Sequence, residues 1–576
     1  STLLLAGRCT PAIPIAALRA RGELLELEPN LLALTRREAA LILHRGGVEL
    51  PDDRLDDLVR RTEGWAAGVY LAMLALRETN DVGGDDRYFA EYFRSECLSG
   101  LDAGSQSFLR RASVLDRLSG SLCDAVLDRA DSGHRLEKLA AANMFVVPLD
   151  RRGEWYRFHT LFRELLQREL GLHERRRVPT LRRRAARWYE AQGDHEAAVS
   201  YAIAAGDLKR AARLLGSHAL SACEDGRFAT VEQWLGAFDE PSLERYPKVA
   251  AVGAWVHALR GRPADAERWL AAAERAAGAD DEAIVSVVVA ALCRDGVEQM
   301  AADARKAAQE LPSDSAWRPV ALLLEGASRA LAGDRGRASE VLADAEDEAQ
   351  RRGAGESLLA AVSERALASD DNDSESLALQ VHELACGRKP GQAATDALGL
   401  AVSARASLRR AHWDEAHAEL DAVKELMPRL SHALPWLGVQ ALLELVRANV
   451  TLRDPGAARA GLDEARKILR HRPKLGVLRT QAEELERQVE ELTNARGRES
   501  SALTAAELRL LPLLATHFSF REIAERFFVS RNTVKTQAIS VYRKLGVSSR
   551  SQAIAEALRL GLIDTAEGLE TGSSTQ

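Results

Sequence analysis

The stretch LTAAELRLLPLLATHFSFREIAERFFVSRNTVKTQAISVYRKLGVSSRSQAIAEALRLGLI, residues 503–563, reads as four capped helices. Thr504 with Glu507 spells a capping box, and Leu508, Leu511 and Leu514 give that first helix a buried stripe. Ser519 with Glu522 repeats the box, with Ile523, Ala524 and Phe527 pointing inward. The turn at Phe528 and Val529 leads to Ser530, which caps a third helix running to Leu545, and Gly546 reads as a left-handed stop. Ser549 with Gln552 opens the last helix, which Gly561 ends. The second and third helices, joined by so short a turn, make a helix-turn-helix.

The third helix has two faces. Val534, Ala538, Val541 and Leu545 recur at helical spacing and must pack inward. The opposite face carries Arg531, Lys535, Thr536, Ile539, Ser540 and Arg543. Cations suit phosphates, Lys and Thr suit base edges, and an exposed Ile suits a thymine methyl, so the stripe fits a DNA major groove. A solvated surface face is the plainer reading of any basic stripe; the complete four-helix pattern around this one argues against it.

Charge follows the same division. The 576 residues carry a net charge of −7, which taken whole predicts nothing about nucleic acid. Residues 501–566 hold nine Lys/Arg against five Asp/Glu, so a module of +4 is attached to a body of −11. The composition, 46% hydrophobic and 28% charged, excludes disorder as the dominant state. No apolar stretch is long enough to span a bilayer. Six scattered cysteines without a CxxC pair argue against a disulfide framework or a zinc site and fit a reducing cytoplasm. No paired-carboxylate, Ser/His/Asp or Cys/His motif stands out, so no catalytic residue is assigned and no metal is expected.

Upstream, residues 173–493 are helical by pattern and repeat. Gly193, Gly226, Gly261, Gly296 and Gly333 are spaced 33, 35, 35 and 37 residues apart, each between two helices. One such pair cannot bury its apolar face alone, so the units stack into a superhelix. The spacing resembles tetratricopeptide repeats, with longer, irregular units near residues 370–460. Phe145–Leu149 and Trp155–Phe158 flank a turn and read as a β-hairpin after three helices, the signature of a winged helix over residues 96–172. In residues 1–95, Leu3–Leu5 and Gly22–Leu27 read as strands, and Thr35–Arg45 and Asp53–Arg77 as helices. The expected organisation is therefore mainly α and multidomain: a partial α/β core (1–95), a winged helix (96–172), a TPR-like solenoid (173–493), a polar linker (494–502), a helix-turn-helix module (503–566) and a disordered tail (567–576).

The segments EIAERFFVS, TVKT and YRKLGVSSR closely resemble the LuxR-type helix-turn-helix family. That resemblance implies double-stranded DNA binding, with Lys535, Thr536 and Ile539 at base-facing positions and Ser530, Thr533 and Lys544 at phosphate-contacting ones. It also implies that the last helix, Ser549–Leu560, pairs two modules. Gln537 departs from the family's usual His, and Pro512 inside the first helix removes a hydrogen bond, a cost of about 3 kcal/mol in an ideal helix. Further upstream, LLLAGRCTPAIPIAALRARGELLEL, RTEGWAAGVYLAMLAL, FVVPLDRRGEWYRFHTLFRELLQREL and WYEAQGDHEAAVSYAIAAGD resemble, in order, parts of the MalT-like regulators of the STAND class of signal-transduction NTPases. By that resemblance Arg8 senses a nucleotide phosphate, Gly64, Trp65 and Ala66 form the adenine-side turn, and His159 approaches the phosphates. Surface pairing for Arg8 and core packing for Trp65 and His159 are the plainer readings.

The phosphate-cradling GxxxxGK[ST] occurs nowhere in these 576 residues. The chain is therefore expected to be no enzyme, to carry no cofactor itself, and to lack the N-terminal part of an NTPase core; ATP or ADP belongs to a full-length parent. The resemblance implies a cytoplasmic transcription regulator, an activator that contacts RNA polymerase, answers an inducer on the superhelix and self-associates. The rival reading is a TPR-like scaffold, or a degenerate STAND protein without regulatory DNA binding; an active NTPase is a third.

Overall fold

The computed structural model describes residues 4–5, 7, 13–27, 29–79, 87–369, 371–386, 393–501, 505–516, 518–527, 529–545, 547–559 and 562–563. They fall into two compact units, residues 1–223 with 227–252, and 224–226 with 253–576. Among the described residues no helix is long and apolar enough to cross a membrane.

In the first unit the strand expected at residues 22–27 does not form, and Leu3 of the other expected strand lies outside the described residues. Residues 23–27 are irregular, and Leu4, Leu5, Leu25 and Leu27 are exposed. A strand gains its hydrogen bonds from a neighbour, and none among the described residues flanks this segment. A helix does form at Arg36–Arg45, where Thr35 and Glu38 close a reciprocal capping box. The single helix expected over Asp53–Arg77 is instead two, Asp52–Thr62 and Ala66–Thr79. Glu63 and Gly64 break it, both at positive φ (51° and 71°). A Cβ on Gly64 would lie 2.8 Å from the Leu34 carbonyl oxygen, so backbone packing demands glycine there.

The winged helix comprises α1 (Ala103–Ala112), β1 (Leu118–Ser119), α2 (Gly120–Leu127), α3 (Ser132–Ala141), β2 (Val146–Pro148), β3 (Trp155–Phe158) and α4 (Thr160–Glu174). The hairpin forms as read, with Val146 opposite Phe158. Asp150 fixes its turn by accepting from the backbone N–H groups of Arg152, Glu154 and Trp155 at 2.8–3.1 Å. The short β1 adds a third strand, giving the order β1-β3-β2. β3 and α4 dock onto the broken helix through Glu63: Arg157 holds its carboxylate in a two-pronged pair at 2.6 and 2.8 Å, and Thr160 donates from its N–H and hydroxyl. Burial alone would raise the Glu63 pKa, but these donors and the nearby His159 outweigh it and hold it down at about 2.

Superhelical pairs begin with α5 (Val178–Ala191) and α6 (His195–Ala204). All five periodic glycines have positive φ. After two of them an Asp caps the next helix: Asp194 accepts from Ala197 N at 3.0 Å, and Asp334 from Arg337 N at 3.5 Å. In the second unit the pairs include α7 (Arg318–Leu331), α8 (Arg335–Arg352), α9 (Gly355–Ala368), α10 (Ala394–Arg409), α11 (Trp413–Leu426), α12 (Pro435–Thr451) and α13 (Pro455–His471). Those beyond residue 393 have helices of 14–17 residues, and residues 387–392, within the stretch expected to be irregular, lie outside the described residues. The chain then folds back onto earlier pairs. Val477 N donates to Leu331 O at 2.9 Å, and Val297 N to Lys474 O at 3.1 Å. A Cβ on Gly476 would sit 2.0 Å from Leu331 O, so only glycine permits this closure.

The expected linker is helical: α14 runs Leu478–Ser501, through residues 494–501. ARGRES contains four good helix formers and one glycine, too little to stop a helix already propagating. The last module comprises α15 (Ala505–Leu514), α16 (Phe520–Phe527), α17 (Arg531–Lys544) and α18 (Arg550–Arg559). Leu510, Leu511, Leu514, Ile523, Val534, Ala538 and Val541 are fully buried in one core. Leu508, read as part of the buried stripe, is instead exposed, and Leu510 takes its place. The Thr504 cap and the glycines at 546 and 561 lie outside the described residues.

Two outcomes test these joints. Because the folded pKa of Glu63 lies below its unfolded value, its contribution is present above about pH 4.5 and lost as pH falls towards about 2. Thermal melts should show wild type losing its advantage over Glu63→Gln across that window; a difference constant with pH would refute the assignment. Replacing Gly476 with Ala should lower the melting temperature of the full chain, whereas Gly278→Ala, where nothing lies within 4 Å, should leave it nearly unchanged.

Candidate nucleic-acid interface

α17 is built to keep one face free. Ser530 caps it, its Oγ accepting from Thr533 N at 3.1 Å and lying 2.8 Å from Thr533 Oγ1. At about 100° per residue, Arg531, Lys535, Thr536, Ile539 and Arg543 fall within an arc of about 140°, opposite Val534, Ala538 and Val541. All five are exposed, Ile539 at 55%. Ser540 is half-buried at the edge of the arc. The Thr536 hydroxyl donates to Asn532 O at 2.9 Å, a bond that a rotation about χ1 releases.

The electrostatics are one-sided. α17 contains no acidic residue. Among the described residues no carboxylate pairs with Arg531, Lys535 or Arg543. A large apolar side chain among uncompensated cations suits a groove that offers phosphates and thymine methyls.

Lys544 does not share this face. Its Nζ donates to Glu507 Oε2 at 2.8 Å, and the side chains are only 11% and 7% exposed. The same angular count puts Lys544 on the flank towards α15, so it ties α17 to α15 and is withdrawn from the phosphate-contacting set. Arg550, which the sequence reading passed over, closes the module from the other side. Its guanidinium donates to Leu514 O and Thr516 O at 2.8 and 2.9 Å, occupying carbonyls at the end of α15. The apparent mismatch of Pro512 is accommodated: it lies on the exposed side of α15, and Leu511 and Leu514 around it stay buried.

The second expected site lies in the first unit. Arg8 is outside the described residues. Gly64, Trp65, Ala66 and His159 do come together, but as a packed joint. Trp65 meets Tyr92, Phe145 and His159 at ring-centroid distances of 5.1, 5.1 and 5.9 Å. His159 is buried, its Nε2 lies 3.1 Å from Thr62 O, and desolvation lowers its pKa. Its buried Nδ1 has no partner. Ala66 is exposed.

Residues 94–178 match the MalT winged helix domain, and residues 501–557 match the luxR family of bacterial regulatory proteins. The chain is 31% identical over 286 residues to the HTH-type transcriptional regulator MalT of Serratia proteamaculans (strain 568), covering 48% of this chain and 32% of that protein. It is 30% identical over 285 residues to the MalT regulator of Yersinia enterocolitica (serotype O:8 / biotype 1B), with the same coverage of 48% and 32%. The chain therefore spans about a third of the length of these curated relatives. A solved STAND ATPase with a tetratricopeptide repeat sensor from Pyrococcus horikoshii superposes with a TM-score of 0.42 at 12% identity, covering 81% of this chain and 70% of that one. The chain thus carries a segment that matches the MalT winged helix domain, followed by one that matches the luxR family, and it is similar to MalT regulators over about half of its length.

Proposed function

We propose that this chain is a DNA-binding transcription regulator that lays α17 in the major groove of duplex DNA. The observation that carries the reading is the acid-free face of α17, turned outward by the burial of Val534, Ala538 and Val541. Lys535 and Thr536 read base edges, Ile539 meets a thymine methyl, and Ser540 reaches the groove's edge. Arg531 and Arg543 hold phosphates, and the hydroxyls of Ser530 and Thr533 hold another at the helix N-terminus. Lys544 holds the scaffold and does not touch DNA.

The wider reading is drawn from the MalT-like relatives. A signal ligand engages the superhelical segment, the protein self-associates, and several modules occupy repeated sites, gaining avidity without new contacts. It acts in the cytoplasm as an activator that contacts RNA polymerase, and it is a regulator, not an enzyme.

The test uses the full chain and duplexes selected by it from a randomised pool at low salt. Lys535→Ala and Thr536→Ala should each weaken the selected duplex by about ten- to a hundredfold and relax preference at one position. Arg543→Gln should weaken all duplexes alike and reduce the slope of log affinity against log salt by about one. Recovery of no duplex, or an affinity indifferent to these changes, would sink the proposal. Lys544→Met should instead lower the melting temperature, since it removes the cation that ties α17 to Glu507 on α15.

A further inference from the structure

α7, α9, α10, α12 and the start of α14 surround a cavity of about 250 Å³. Its polar lining is Arg335, Arg405, Gln440, Glu444, Arg447 and Gln481, set among leucine and alanine side chains. That volume is room for about eight waters at roughly 30 Å³ each, the scale of a small metabolite. The closure at Gly476 and Leu331 forms one wall, since Leu331 and Val477 both line it.

Two features separate this cavity from a packing fault. First, buried acceptors in and behind it lack donors. Gln440 is 94% buried; its Nε2 donates to Glu364 Oε2 at 2.9 Å, but its Oε1 has no partner. Glu364 is wholly buried with Oε1 equally bare, and desolvation pushes its carboxyl up to about 7. Glu444 pairs with Arg447 through Oε1; Arg405 lies 3.0 Å from its Oε2 but off the line of a hydrogen bond. Unmet acceptors at this depth cost folding free energy and call for a donor. Second, the lining is net positive, with three arginines against one glutamate. Arg335 stands exposed at the mouth, and no acid among the described residues pairs with it.

We propose that this cavity binds a small carboxylic acid carrying a hydroxyl or amino group, its carboxylate held by Arg335, Arg405 and Arg447 and its donor given to Gln440 Oε1. A bare anion leaves Gln440 unmet, and a neutral polyol brings no anion to Arg335 or to the net positive lining, so one molecule with both groups fits where either half does not. Arg447 also donates to Gln481 Oε1 at 2.9 Å, which fixes its guanidinium plane. Because α7, α9, α10 and α12 all contribute, occupancy links four superhelical pairs. The inference rests on the reading that the superhelix receives a signal, and it names that signal's class.

The test is the melting temperature of the full chain, without DNA, in millimolar L-malate, D-glycerate, L-serine or L-glutamine, with succinate and glycerol as the half-ligands. At least one of the four should raise it by about 2 °C or more, while the half-ligands do not. Gln440→Met should abolish the rise, and Arg335→Gln, an exposed change that spares the fold, should weaken the apparent affinity about tenfold. No rise with any of the four overturns the proposal. So does a rise that survives both substitutions, and so does a Gln440→Met chain that gains stability while wild type ignores the acids, which would make the polar group structural only. Duplex binding without any acid is measured separately, so failure of the DNA reading leaves this result standing, and the reverse.

Discussion

A helix that is apolar along one side must cover that side with another helix, and almost every element of this chain answers that requirement. The superhelical pairs cannot do it alone, so each leans on the next, and the positive-φ glycines at their turns let the chain reverse tightly enough for the stack to continue. The same requirement sets the direction of α17. Once Val534, Ala538 and Val541 are committed to the core with Ile523 and Leu511, the opposite arc has nowhere to go but solvent. Function here is a consequence of packing: the face offered to DNA is the one the core rejects.

Polar joints then decide details that apolar stripes leave open. Glu507 and Lys544 fix the distance between α15 and α17, and Arg550 closes the carbonyl end of α15. Glu63 with Arg157 and Thr160 fastens the winged helix to the helix break before it. In each case the donors match the acceptors. The cavity between α7 and α12 differs from these joints in having unmet carboxylate and amide oxygens, at Glu364 and Gln440, beside open space.

Legibility in the sequence tracked how local the cause was. The four helices of the last module, their Ser519 box and the inward set of α17 depend on neighbours within a few residues, and they could be read directly. The glycine period and the hairpin at Phe145–Phe158 were legible for the same reason. What failed depended on distant partners. GELLEL has the composition of a strand but no adjacent strand among the described residues. Glu63 breaks a helix because the backbone at Leu34 approaches Gly64, thirty positions away. Lys544 looks like a phosphate contact until Glu507, 37 residues earlier, is found beneath it. The cavity draws on residues from Ala330 to Gln481, none of which forms a motif.

The central claim is that the exposed arc of α17 touches base edges. Photo-cross-linking tests it directly, with a benzophenone side chain at position 539 and, as a comparison, at position 521 on the exposed side of α16, in the full chain bound to its selected duplex. The account predicts base adducts from position 539, and none to bases from position 521. A chain that retains the duplex yet cross-links to no base from position 539 would contradict it.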